Sequence, residues 1–197
     1  MEKNTNLTIV GLLVLIVGFG GGYLMRGTQT PWMGSYMMSN SAVMNDGMMG
    51  GNIDRHFIEQ MIPHHEGAIA MAKVALERSK RSEILSLAND IIKAQEAEIV
   101  DMRGWYQSWY GSTPPAGGFG MGMHMGGMEG DLSALKSVSA ADFDREFIEQ
   151  MIPHHEMAIM MAQMLQASTQ RAEMKQLADN IITSQSREIN MMRSWLK

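Results

Sequence analysis

The ten residues Phe57 to Glu66, reading FIEQMIPHHE, recur without a change as Phe147 to Glu156. The offset of 90 residues persists well beyond the block: Ala88 maps to Ala178, Gln95 to Gln185, Glu98 to Glu188, Met102 to Met192 and Trp105 to Trp195. A repeat of this length that keeps its register is one supersecondary unit used twice, and each copy must find a partner for its apolar face. We delimit the copies as residues 54–110 and 144–197.

At 100° per residue, Phe57, Met61, His64, Ala68, Met71 and Ala75 form one stripe, with Ile58, Ile62, His65, Ile69, Ala72 and Leu76 beside it. Together they predict a buried face on a helix over 53–79, with Glu59, Glu66, Lys73 and Glu77 on the solvated side. Pro63 lacks the N–H that would reach the Glu59 carbonyl, which predicts a kink just before the two histidines. A second helix, 82 to about 110, carries the seam Ile84, Ala88, Ile91, Gln95, Glu98, Met102, Trp105 and Trp109. The short break near residue 80 makes the pair an antiparallel hairpin, and reflection about it places Glu98 level with His64 and His65. The second copy predicts helices at about 140–167, opened by a Ser139-x-x-Asp142 capping box, and about 171–196. Two stacked hairpins give an all-α four-helix bundle over residues 53–197.

Outside the repeats, Leu7 to Met25 is a run of 19 residues without a charge, long enough to cross about 30 Å of hydrocarbon. Residues 1–26 are therefore expected to form an N-terminal transmembrane anchor, with a cleaved signal segment as the alternative. Residues 27–52 and 111–130 are Gly- and Met-rich linkers. The second contains Met121, Met123, His124 and Met125.

Composition narrows the chemistry. A formal charge of −5 and the lack of any basic run argue against a nucleic-acid partner. With no cysteine, any metal must be held by imidazole, thioether, carboxylate or amide. Methionine, at 23 residues, is the outlier. Met61, His64 and His65 on one helix, facing Glu98 and Met102 on the next, make a mixed N, S and O donor set; Met151, His154, His155, Glu188 and Met192 repeat it. Thioether sulfur suits Cu(I), and imidazole accepts several transition metals, so copper stands ahead of iron, as Cu(I) or Cu(II). A lone buried histidine is more often a hydrogen-bonded core residue, and Glu98 could serve only as its partner. Met71, Met160, Met161 and Met164 read as core filler. Filler does not account for the linker methionines, for which soft-metal capture is the better explanation.

The string Met61-Ile62-Pro63-His64-His65-Glu66, followed by Ala68-Ile69-x-Met71-Ala72 and by Gln95-x-x-Glu98-Ile99-x-x-Met102-x-x-Trp105, resembles the family called domain of unknown function (DUF) 305. The resemblance covers about residues 53–197 and implies a ferritin-like bundle in exported bacterial proteins, some associated with copper binding and tolerance. It carries candidate metal roles to Met61, His64, His65, Glu98, Met102 and their counterparts in the second copy. No Glu-x-x-His pair of the di-iron carboxylate proteins stands on any predicted helix, which counts against iron oxidation.

The expectation is a copper- or silver-sequestering protein of the bacterial cell envelope, membrane-anchored with its bundle facing the periplasm or exterior. A metal-handling protein or a second copy could be its partner. The rivals are a ferritin-like metal oxidase and a metal-free envelope interaction module; an enzyme is the less favoured class.

Overall fold

The computed structural model describes residues 53–116 and 131–196, all within one compact unit of the chain. Among them the fold is all-helical, with five helices: α1 (Ile53–Arg78), α2 (Ser82–Tyr110), α3 (Leu132–Ser137), α4 (Phe143–Ser168) and α5 (Ala172–Trp195). The four long helices fall where the periodicity puts them. Both α1 and α4 continue through their prolines, Pro63 and Pro153.

Each hairpin turn is closed by a buried hydroxyl. Ser79 Oγ accepts from the Arg81 N–H at 3.1 Å, and Thr169 Oγ1 accepts from the Arg171 N–H at 3.1 Å. The side chain thereby supplies an acceptor where the helix ladder stops. α2 ends at Gly111, whose left-handed φ of 69° lets its N–H return to the Gln107 carbonyl.

α1 packs along α2, α4 along α5, and the hairpins join principally through α1 and α4. The core divides into two apolar clusters. One gathers Phe57, Ile58 and Met61 of α1 with Met102 and Tyr106 of α2, Ala162 and Leu165 of α4, and Met174 and Ile181 of α5. The other gathers Met71 and Ala75 with Ile84 and Leu87, Phe147 and Met151, and Ile189 and Met192. The start of α1 thus shares a cluster with the end of α4, so the two helices run antiparallel and cross between the clusters.

The short helix α3 has no counterpart in the sequence reading, which assigned no element between the linker ending at residue 130 and the Ser139 cap. Leu135 is fully buried against α1, and the Arg78 guanidinium donates to the carbonyls of Leu135, Lys136 and Val138 at 2.6, 2.8 and 2.6 Å. Ser139 does meet Asp142, through Oγ to Oδ2 at 2.6 Å, but it closes a turn ahead of α4 rather than capping its first residue.

Two further expectations are corrected. Glu59 is 1 % exposed, not solvated. Tyr106 on the facing helix donates to its Oε1 at 2.6 Å and Arg55 donates to the same oxygen at 2.9 Å. The membrane-anchored envelope placement is not upheld either. Among the described residues no helix is long and apolar enough to cross a membrane, because each long one carries charge on its outer face. The run Leu7 to Met25 that carried that expectation lies outside the described residues, as do Met121, Met123, His124 and Met125.

Candidate metal centre

The helical phase that buries Met61 also buries His64 and His65, one turn further on; they are 0, 1 and 0 % exposed, respectively. In the second copy Met151, His154 and His155 are 0, 2 and 0 % exposed. Because α1 and α4 cross at this level, all four imidazoles collect in one layer between the two apolar clusters.

Adjacent residues on a helix point about 100° apart, and the two histidines of each pair therefore diverge. Their ring centroids are 6.3 Å apart in both copies, tilted by 58°. His65 turns to its own hairpin, where its Nε2 lies 2.6 Å from Glu98 Oε2; His155 Nε2 lies 2.7 Å from Glu188 Oε2. His64 turns the other way and meets His154 across the join, with ring centroids 3.7 Å apart. The sequence reading had both imidazoles of a pair converging on one seam. The backbone phase splits them into an outer pair bound to carboxylates and an inner pair where α1 meets α4.

Neutral imidazole offers one N–H and one lone pair. If Nε2–H of His65 and His155 donates to the glutamate, their Nδ1 atoms carry the lone pairs, and both Nδ1 atoms are buried without a hydrogen-bond partner. His64 is as deeply enclosed, and the one group that favours a proton on its ring is the backbone of His154. Burial, followed by repulsion from His154, His65 and His155, pushes the His64 pKa down to about 2, so this ring stays neutral and keeps its lone pair at any physiological pH. Orphaned buried polar atoms cost about 1–3 kcal/mol each.

The thioethers flank this layer. Met61 and Met102 lie in one apolar cluster and Met151 and Met192 in the other, all fully buried. The inward Gln95 and Gln185 are buried, with no partner at Oε1. Among the described residues no three His, Asp or Glu side chains form a metal-holding group. The imidazoles that meet are those of His64 and His154, while the four methionines are buried in the clusters to either side.

Periodicity missed the buried network of Glu59, Arg55 and Tyr106, although the repeat contains a clue. Position 106 is tyrosine in the first copy, and its counterpart is Leu196. Without that hydroxyl Glu149, the equivalent of Glu59, stays on the surface in an ion pair with Arg145 at 3.2 Å.

Comparison with known proteins agrees with this architecture. CopM in its Cu(II)-bound form superimposes with a TM-score of 0.67 at 51 % identity, over 72 % of this chain and 94 % of that one. Its Cu(I)-bound form matches with a TM-score of 0.63 at 47 % identity, over 72 % and 94 % of the two chains. A DUF305 fragment from Deinococcus radiodurans gives a TM-score of 0.63 at 26 % identity, over 75 % of this chain and 97 % of the fragment. An uncharacterized protein of Acanthamoeba polyphaga mimivirus is 47 % identical over 53 residues, which is 27 % of this chain and only 35 % of the viral protein. The model of the domain of unknown function DUF305 matches residues 54–196, and the chain therefore belongs to the DUF305 family.

Proposed function

We propose that this protein binds copper, and by the same chemistry silver, and acts as a sequestering or buffering protein rather than an enzyme. The observation that carries the reading is His64. It is a fully buried imidazole, held neutral, and placed against His154 where the two hairpins join. A group in that state gains most from a Lewis acid. Met61, His64, His65 and Met102, with Met151, His154, His155 and Met192, are the proposed donors; Glu98 and Glu188 fix the tautomer and orientation of His65 and His155. The finer description of the fold as a ferritin-like four-helix bundle belongs to the same reading. So does a role for Met121, Met123, His124 and Met125 in capturing ions. The likeness to CopM, whose solved forms include Cu(I), Cu(II) and silver complexes, supports the choice of metal.

The test is an equilibrium titration of the full chain with Cu(I) against a competing chelator. The chain is expected to compete, and replacement of His64, His65, His154 and His155 together by leucine is expected to lower its affinity at least tenfold. An unchanged affinity in that variant, with its helical content intact, refutes the assignment and leaves the histidines as a polar core network.

A further inference from the structure

Four methionines on α4 fall outside both apolar clusters or at their edge. Met160 and Met164 are 50 % and 55 % exposed, while Met157 and Met161 are half-buried, with Met161 packed at the rim of one cluster. Their spacing, i, i+3, i+4 and i+7, puts all four on one face of the helix, with neighbouring Cβ atoms about 5–6 Å apart. Core filling, the natural reading of such residues, does not hold for side chains in water. Their counterparts in the first copy are Gly67, Ala70, Met71 and Val74, of which Met71 and Val74 are buried in the cluster that includes Leu135 of α3. The second copy has thioethers in place of Gly67 and Ala70, the first half-buried and the second exposed.

We propose that Met157, Met160, Met161 and Met164 form a separate, solvent-facing site for a soft monovalent ion, Cu(I) or Ag(I). Several features favour a thioether site over a merely apolar surface. Only four large hydrophobic side chains are exposed among the described residues, and two of them are these methionines; Leu76 and Val100, the others, stand on different helices. An apolar docking face would be served equally by leucine or isoleucine, which are absent from its exposed part. The unbranched methionine side chain has enough rotatable bonds for sulfurs one turn apart to close on a single ion. Gln163 is a polar neighbour of the face, and the one carboxylate beside it, Glu156 one turn before Met160, is ion-paired with Arg193, so an ion would be held by sulfur rather than by a carboxylate that would select harder cations. Met157 follows His154 by three residues, which places the inner end of the face one turn from the histidine layer.

The site shares only its metal with the histidine reading, and the two can fail independently. The probe is Ag(I), added to the full chain labelled with carbon-13 at the methionine methyls, each resonance being assigned by its Met→Leu variant. The methyls of Met157, Met160, Met161 and Met164 are expected to shift together, and to do so also in the chain lacking His64, His65, His154 and His155. The quadruple Met→Leu variant is expected to bind at least one Ag(I) fewer per chain. Leucine is a good helix former and these positions are outside the core, so the variant should fold; should it fail to, the methyl shifts of the unaltered chain decide alone. Methyls at these four positions that stay still while other methionines respond would overturn the proposal, as would an undiminished silver stoichiometry in the folded quadruple variant.

Discussion

His64 and His154 meet ring to ring across the join of the two hairpins, 3.7 Å between centroids, each at the same position of an identical ten-residue block. The contact brings the two copies of the block against each other in one layer. It also fixes a pH response. An unfolded histidine titrates near 6.5, whereas folded His64 is held down to about 2. Between those values the unfolded chain binds a proton that the folded chain refuses, so stability falls as pH drops below about 6.5. The slope contributed by this one group approaches about 1.4 kcal/mol per pH unit. Urea unfolding of the metal-free chain at pH 7.5, 6 and 5 should show the loss, and His64→Leu should make it shallower.

Glu98 and Glu188 are expected to act through the histidines they hold. Glu98→Gln keeps the shape but weakens the pull on the His65 N–H, and outer partners of this kind are worth about 10- to 100-fold in metal affinity. The Cu(I) competition assay should register that loss for either glutamine variant, with the fold unchanged by circular dichroism.

Tyr106→Phe removes the hydroxyl that donates to buried Glu59 at 2.6 Å. A buried carboxylate deprived of a donor costs about 1–3 kcal/mol, and chemical denaturation should show a destabilisation of that size. Replacing Glu149, the exposed counterpart, by alanine should stay within about 0.5 kcal/mol.

Arg78 ties α3 to the end of α1 through three backbone carbonyls while its guanidinium lies 4.8 Å from the Phe143 ring centroid. Lysine cannot reproduce a planar fork that reaches three acceptors. Arg78→Lys should therefore speed amide hydrogen exchange across residues 132–138 and leave α2 and α5 as protected as before.

Much of this architecture is legible from periodicity, because a long amphipathic helix declares its own buried face. The seam Ile84, Ala88, Ile91 and Gln95 is buried as read, and the mirror about the turn brings Glu98 to the histidine layer. What stays hidden depends on neighbours. Glu59 lies on the polar side of its own helix, and only Tyr106 on another helix turns that side into an interior. Met160 and Met164 continue an apolar pattern, but no element of the described structure covers them. α3, at six residues, is too short to show a period and exists through tertiary contacts. The meeting of His64 with His154 depends on the antiparallel crossing of α1 and α4, which no single-helix pattern encodes.

That crossing has a consequence for how such a protein could arise. The hairpins join chiefly through the two helices that carry the repeated block, so the surface bearing the nitrogen donors is also the surface that closes the molecule. Copying one hairpin supplied a second set of imidazoles and, in the same event, the wall against which the first set is enclosed. The second hairpin closes over the ring of His64, and that enclosure makes it too costly to protonate.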